Sequence, residues 1–257
     1  MEKFKYIALF FFLMQMAVSP LFAQNNSYTN GSAEWLVYRF FGEKSFPDKD
    51  NYYTGEMVLD IKNPSVGEEL NGVGAVTLRQ IYKQSISAMF AVTVKVGENA
   101  TEFYSYLLNV NGKWMIQAIR KFLLPKFIYQ TVDSLSQLEQ LSDSTNSLFR
   151  MLKLMTSTDE VIKTHLSENA GSFNALLSAF ESKDKDNFIR LINELGLNSV
   201  FKDRKYPNCT FIQIGSFKSM EVGYIKTNDD SHLPKISQNG FIYIEEIIPG
   251  WYIYRVI

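Results

Sequence analysis

The spacing of apolar positions changes period three times along the chain. Trp35, Leu36 and Phe40 recur at helical spacing, with Ser32 placed as an N-cap and Gly42 where a helix-ending glycine belongs. Four alternating runs follow, near 75–84, 89–96, 101–110 and 113–122. Gly97-Glu98-Asn99 and Asn111-Gly112 separate the last three. Asn-Gly between alternating runs predicts a hairpin, because both residues tolerate positive φ. The reading is an antiparallel meander covered by the helix at 32–41. Between them, 43–74 is broken by Pro47, Pro64, Gly55, Gly67, Gly72 and Gly74, and offers only a short strand at 57–61.

Pro125 closes this block, and the period turns helical. Ile128, Val132, Leu135, Leu138 and Leu141 mark one helical stretch. Leu148, Phe149, Leu152 and Met155 mark another, with Asp143 as its cap. Ser157-Thr158-Asp159-Glu160 has capping-box spacing, with the Glu reaching back to the cap amide, and opens a helix carrying Val161, Ile162 and Leu166. Phe173, Leu176, Leu177 and Phe180 give a third apolar stripe. Phe188, Leu191, Ile192 and Leu195 give the last, which stops at Gly196. Strands return at 209–214, 220–226, 241–247 and 251–257, with Asn228-Asp229-Asp230 and Pro249-Gly250 as turns. The expected class is α+β. A helix on a curved antiparallel sheet occupies 24–125, and a helical segment followed by a four-stranded antiparallel meander occupies 126–257.

Residues 1–23 stand outside this pattern. Lys3 and Lys5 precede an apolar run at 6–18 broken only by Gln15, then Ser19-Pro20, and Ala23 lies before a polar stretch. This is the build of a signal peptide cut after Ala23, and it predicts an exported protein, periplasmic or secreted. The run is shorter than the ~20 residues that span a bilayer, so no transmembrane span is expected after cleavage. No Cys stands at the junction to carry a lipid. Loss of Lys3, Lys5 and Glu2 moves the net charge from −1 to −2, which is no footprint for nucleic acid.

The chemistry in the sequence is sparse. Cys209 is the one cysteine, so an intramolecular disulfide is excluded. It opens an apolar stretch and reads as a buried small hydrophobe, with a reactive thiol or an intermolecular bridge as the other reading. His165 and His232 have no spaced partner for a metal, and Asn228-Asp229-Asp230 lacks the ligand spacing of a calcium loop. There is no Gly-x-Ser-x-Gly elbow, and Gly72-Val73-Gly74 leads into a strand rather than a helix. No metal or cofactor is implied.

Strict alternation puts Phe90, Val92, Val94 and Val96 on one side of the sheet together with Tyr104, Tyr106, Ile116, Ala118 and Arg120. That inward set holds Gln80, Tyr82, Tyr104 and Arg120 as candidate ligand-binding residues. Its only carboxylate is Glu102, at the strand mouth. Such a cavity has hydrogen-bond donors and no central base, which favours binding over catalysis. Arg120 could grip an anion in bidentate fashion or snorkel to water. Tyr243, Trp251, Tyr252 and Tyr254 could form a platform for sugars or peptides, or pack beneath helices, the commoner arrangement.

The helix at 35–41 and the meander 75–122, ending in Asn111-Gly112-Lys113-Trp114-Met115-Ile116, resemble the NTF2-like, cystatin-related α+β fold over about two fifths of the chain. Members of that family usually carry more helix before the sheet than 43–74 supplies. They include enzymes, ligand binders and interaction modules, and fold does not choose among them. The tail from Val222-Gly223-Tyr224 to Gly250-Trp251-Tyr252 is similar to C-terminal segments of bacterial proteins to which we attach no activity. The functional expectation is an exported, non-catalytic module for a small ligand or a protein partner, with a homo-oligomer left open. The alternative is an extracytoplasmic hydrolase or isomerase whose site is assembled from distant residues.

Overall fold

The structure is a computed structural model and describes residues 28–257. The signal read at 1–23 lies outside the described residues. Helix α1 (Ala33–Gly42) begins where Ser32 Oγ accepts the Trp35 N–H at 3.1 Å. Leu36, Val37, Phe40 and Phe41 are buried along one side of it. Each such side chain is worth roughly 1.5–3 kcal/mol over its exposed state, which fixes α1 on the sheet.

That sheet is β1 (Ala75–Lys83), β2 (Ser87–Val96), β3 (Asn99–Val110) and β4 (Lys113–Arg120), paired antiparallel in chain order. Asn111 and Gly112 turn β3 into β4 with φ of 54° and 85°. The strand anticipated at 57–61 is not formed. Thr54 N–H reaches the Ile116 carbonyl at 2.9 Å, and Gly55, at φ +56°, then turns the chain off the β4 edge into a 3-10 turn, Gly55–Asp60. Helix α2 (Val66–Glu69) follows with a full capping box between Ser65 and Glu68.

The face assignment drawn from alternation is corrected by the β2–β3 register, which sets Ala91 rather than Phe90 opposite Tyr104, and by two bulges, at Gln80/Tyr82 and Tyr106/Leu107. Phe90 stands opposite Gln80 and Ser105, and Met89 stands opposite Tyr82 and Tyr106. An extra residue on one strand inverts every later side chain. Phe90, Val92, Val94, Leu107 and Ile116 therefore face α1, while Met89, Ala91, Tyr104, Tyr106 and Ala118 face the other way. Both faces of the sheet are buried.

The second face meets the rest of the chain. Helices α3 (Lys126–Ser136), α4 (Asp143–Met155), α5 (Asp159–Glu168), α6 (Ala170–Ser182) and α7 (Lys185–Leu195) lead into a second sheet. Met89, Tyr104 and Tyr106 share one cluster with Met155, Ile162, Phe173, Leu191, Ile212, Tyr224, Trp251 and Ile253. The core is thus continuous across Pro125. Ser142, not Asp143, caps α4, its Oγ accepting Thr145 N–H at 3.3 Å. Gly196, at φ 63°, ends α7.

The second sheet comprises β5 (Ser199–Lys202), β6 (Thr210–Phe217), β7 (Met220–Lys226), β8 (Phe241–Ile248) and β9 (Trp251–Val256), in the order β5-β6-β7-β9-β8. It differs from the expected four-stranded meander in two ways. The short β5 adds a strand, and β9 lies between β7 and β8. The stretch 227–240 is too long for a tight hairpin and contains a 3-10 turn, Asp230–His232. The tight turn is Pro249-Gly250, so β9 folds back on β8 and pairs β7 along its other edge. Trp251 to Arg255 of β9 are consequently buried, Arg255 being 3% exposed. Tyr243, Trp251, Tyr252 and Tyr254 are all buried, so they pack rather than form a platform. Among the described residues no helix is long and apolar enough to cross a membrane.

Candidate functional site

A cleft of about 420 Å³ opens at the end of the first sheet, where β3, β9, α3 and the α4–α5 junction meet. Glu102 and Tyr104 enter it from β3, Arg255 from β9, Tyr129 from α3, and Met155 to Thr158 from the junction. Phe122 and Leu123, just past β4, line its apolar side. The volume lies in the range of small-molecule sites.

The local reason for the site is the way α5 starts. The capping box read at 157–160 does not form: Thr158 is the N-cap residue but its side chain makes no capping bond. Glu160 turns outward to Arg79 (2.6 Å) and Lys163 (2.7 Å). The cap is supplied from another element. Both carboxylate oxygens of Glu102 lie 2.9 Å from the Asp159 N–H and accept from it. A carboxylate at a helix N-terminus satisfies an orphan donor and meets the positive end of the dipole.

Asp159 is fully buried and serves as the hub. It accepts from Tyr104 Oη at 3.0 Å on each oxygen, from Arg255 Nε at 2.8 Å and from Arg79 Nη2 at 3.3 Å. Arg255 also donates to the Ser157 carbonyl at 2.9 Å, and its guanidinium lies 4.7 Å over the Phe122 ring. Arg79 donates to Tyr243 Oη at 2.8 Å, with Glu245 at 2.9 Å from its Nε. Tyr243 in turn donates to Glu245. Three cations (Arg79, Lys163, Arg255) therefore face four carboxylates (Glu102, Asp159, Glu160, Glu245).

Glu160 is 63% exposed, so water solvates its charge, whereas the side chain of Glu102 is 12% exposed. Burial, and then the charge of Asp159, push its carboxyl up to about 7, against the pull of Arg255. Burial followed by the Asp159 charge also drives the Tyr104 hydroxyl well above its ordinary value. Burial works against the Arg255 charge, but Tyr104, Asp159 and Glu102 outweigh it and raise its pKa. A buried carboxyl poised near neutrality beside a cleft can accept a proton or a donor from a ligand.

Of the four residues singled out by alternation, Tyr104 alone reaches this cleft. Gln80 is exposed and stands opposite Phe90, on the α1 side of the bulge. Tyr82 lies on the other side and lines a shallow groove with Tyr106, Gln117 and the 236–239 loop. Arg120 is committed: it donates to the Gln238 carbonyl (2.7 Å), to the Ile119 carbonyl (3.1 Å), to Asn239 Oδ1 (3.3 Å) and to Glu56 (2.6 and 2.8 Å). It clasps a loop to the sheet and leaves no fork for an anion. Asp159 and Arg255 escaped the sequence reading. One signal was present: Arg255 is the single charge in an otherwise apolar strand, and such a charge is buried only when paired.

The remaining candidates have structural roles. Cys209 is buried, with Sγ 3.4 Å from the His232 carbonyl. His165 Nδ1 is 3.0 Å from Tyr224 Oη, whose hydroxyl donates to the Ile162 carbonyl at 2.9 Å. Exposed His232 pairs with Asp229 at 3.1 Å.

No family model, curated protein or solved structure matches the chain. Function therefore has to be drawn from the residues of the cleft.

Proposed function

We propose that this is an exported protein, periplasmic or secreted, that binds a small polar ligand in the Glu102–Arg255 cleft without converting it. The observation that supports this is the unspent acceptor capacity of Glu102. A carboxylate offers about four lone-pair sites, and here one backbone N–H is shared between its two oxygens. Tyr104 and Arg255 are spent within the protein: Tyr104 donates to Asp159, and Arg255 is divided between Asp159 and Ser157. No second carboxylate and no histidine lines the cleft with Glu102, which favours binding over turnover. The NTF2-like reading of residues 32–122 belongs to the same proposal, the cleft lying at the end of that sheet.

The test is thermal unfolding against a panel of small molecules, repeated with Ala100→Trp. Ala100 lines the cleft two residues before Glu102 on β3, so an indole there fills the space. A ligand at about 100 times its Kd adds ~2.7 kcal/mol to the folded state. A shift that vanishes in Ala100→Trp supports the reading; shifts that all survive it move the binding site elsewhere. Export is checked by the mass of the N-terminus, expected to begin at Gln24; an intact Met1 in the cytoplasm alone rejects it.

A second reading, an acid–base enzyme, draws on the near-neutral Glu102 carboxyl. It joins residues distant in sequence, 102, 159 and 255. Recovery of the bound ligand chemically unchanged separates the two readings.

A further inference from the structure

We propose that the second sheet carries a separate groove for an organic anion, whose apolar body lies on Tyr206 and Phe241 and whose anionic head meets Lys205 and Lys235. This groove shares no residue with the Glu102 cleft and does not rest on the reading of that cleft.

The groove follows from how the second sheet is covered. Ile212, Tyr224, Trp251 and Ile253 belong to the core shared with the helices and the first sheet. Phe211, Ile225, Tyr252 and Tyr254 alternate with them and face the other way. That face is covered by two connections, at 203–208 and 229–240, whose Tyr206, Leu233 and Ile236 join its cluster. The groove between the two connections measures about 680 Å³, in the range of small-molecule sites.

Its floor is apolar. Tyr206 and Phe241 meet edge to face with ring centroids 5.8 Å apart, and both stay partly exposed. Pro207, Leu233 and Val256 extend this surface. Hydrocarbon laid on it is removed from water. The walls are fixed by bonds of their own. Tyr206 N–H donates to the Asp203 carbonyl (3.0 Å), Leu233 N–H to the Asp230 carbonyl (3.1 Å) and Ser237 N–H to the Phe241 carbonyl (2.9 Å). Arg120 clasps Gln238 and Asn239 to the first sheet. A groove formed in advance loses little affinity to ordering.

The charge of the ligand follows from what lines the groove. Lys205, Lys235 and His232 do, and no carboxyl group does. His232 is occupied by Asp229 at 3.1 Å. Lys205 and Lys235 enter no ion pair among the described residues, and the Lys205 ammonium stands 5.4 Å from the Tyr206 ring. The acids of the two connections are engaged elsewhere: Asp203 accepts the Lys205 N–H at 2.8 Å, Asp229 the Ser231 N–H at 2.9 Å, and Asp230 the Tyr252 hydroxyl. Asn239 gives its side-chain oxygen to Arg120, which leaves its amide hydrogens for a ligand. The hydroxyls of Ser231 and Ser237 can still accept, so the lysines set the sign. Two unpaired ammoniums beside an apolar floor favour a negative charge attached to a hydrocarbon body. Lysine presents a point charge rather than a fork, so a carboxylate and a phosphate monoester serve alike as the head.

Calorimetry on the parent protein compares phenylacetate and phenyl phosphate with 2-phenylethanol, 2-phenylethylamine, acetate and inorganic phosphate. It is repeated with the double variant Lys205→Gln, Lys235→Gln and with Ala100→Trp, which fills the Glu102 cleft. At least one aryl anion is expected to bind about tenfold more tightly than the neutral, the cationic and the body-less probes, and about tenfold more weakly to the double variant. Raising NaCl from about 0.05 M to about 0.5 M should weaken it several-fold, because both lysines are exposed. Ala100→Trp should leave it unchanged. The melting curve of the double variant should match the parent's; if it does not, the salt dependence of the parent decides. 2-Phenylethanol or 2-phenylethylamine binding as tightly as the aryl anions removes the charge recognition, and acetate or inorganic phosphate doing so removes the floor. Either result overturns the proposal. So does aryl-anion binding untouched by salt or by the double variant, and so does the absence of aryl-anion binding. Loss of that binding in Ala100→Trp would move the anion to the Glu102 cleft and overturn the groove alone.

Discussion

The carboxylate of Glu102, near the start of β3, caps helix α5 by accepting the backbone N–H of Asp159, 2.9 Å from each oxygen. The two residues are 57 positions apart, and the bond joins the first sheet to the helices that carry the second. It also puts two carboxylates side by side, Asp159 matched by Arg255 and Arg79, Glu102 only in part. The same contact that starts the helix thus leaves a buried acid short of a partner.

This arrangement makes stability depend on pH through Glu102. Its folded-state carboxyl, near 7, lies above the ordinary 4.5. Between those values the folded protein holds a proton that the unfolded chain has released. The contribution is therefore present in full below about pH 4.5 and is lost as pH rises to about 7. Its ceiling is on the order of 3 kcal/mol, at 1.36 kcal/mol per pH unit. Glu102→Gln keeps an oxygen for the Asp159 N–H and carries no charge. We expect its urea midpoint to exceed the parent's at pH 8 and to match it near pH 4.5. An identical pH dependence in the two proteins would remove Glu102 from this role.

Asp159 is the residue whose loss the fold tolerates least. Asp159→Ala strands the guanidinium of Arg255, 4% exposed, and the hydroxyl of buried Tyr104. Removing one partner of a buried pair costs about 3–5 kcal/mol. The half-exposed pair of Arg190 and Glu194 on α7 is the control, since i,i+4 pairs in water are worth under ~0.5 kcal/mol. Urea unfolding should show a large drop for Asp159→Ala and almost none for Arg190→Ala. Equal effects would contradict the hub.

The elements of the fold were readable wherever their cause is local. Ser32 and Gly42 bound α1, Asn111-Gly112 makes the β3–β4 turn, and the helical stripes at Ile128–Leu135 and from Leu148 to Leu195 follow from spacing, whereas Leu138 and Leu141 lie past the end of α3 at Ser136. What alternation could not foresee is a bulge. The bulge between Gln80 and Tyr82 leaves Gln80 on the α1 side, whereas Tyr82, Tyr104 and Arg120 share the other face but serve separate places on it, Tyr104 the cleft, Tyr82 a shallow groove and Arg120 the 238–239 loop. Strand order in the second sheet is likewise nonlocal: nothing near Phe241 says that β9 inserts beside β7. The site fails to show for the same reason. Glu102 was noticed as a lone carboxylate, yet its partners arrive from 57 and 153 positions further on. The apparent capping box at 157–160 concealed the vacancy that Glu102 fills.

Cys209 offers a probe of how tightly the second sheet closes. It is fully buried, and burial raises its thiol pKa. Only the thiolate reacts, so a thiol reagent should modify the native protein slowly, at a rate set by opening of the sheet, and label it completely in urea. Stoichiometric labelling of native protein within minutes would contradict this packing.

Two glycines predict opposite responses to the same substitution. Gly171 lies in the first turn of α6, exposed, with nothing within 4 Å of a Cβ placed there. Alanine restricts the unfolded chain and suits a helix, so Gly171→Ala should stabilise by about 0.4–1 kcal/mol. Gly223 sits inside β7, opposite Gln213. A Cβ there would stand 2.3 Å from the Ile212 carbonyl oxygen and 3.0 Å from the Tyr254 ring. The carbonyl belongs to a strand paired on both sides, so the chain cannot yield without breaking the β6–β7 ladder. Gly223→Ala should cost at least ~1–3 kcal/mol, the range for overpacked cores. Thermal melting of both variants checks the pair. A Gly223→Ala protein as stable as its parent would show that β6 and β7 do not approach this closely, and would place in doubt the register that carries Arg255 into the core.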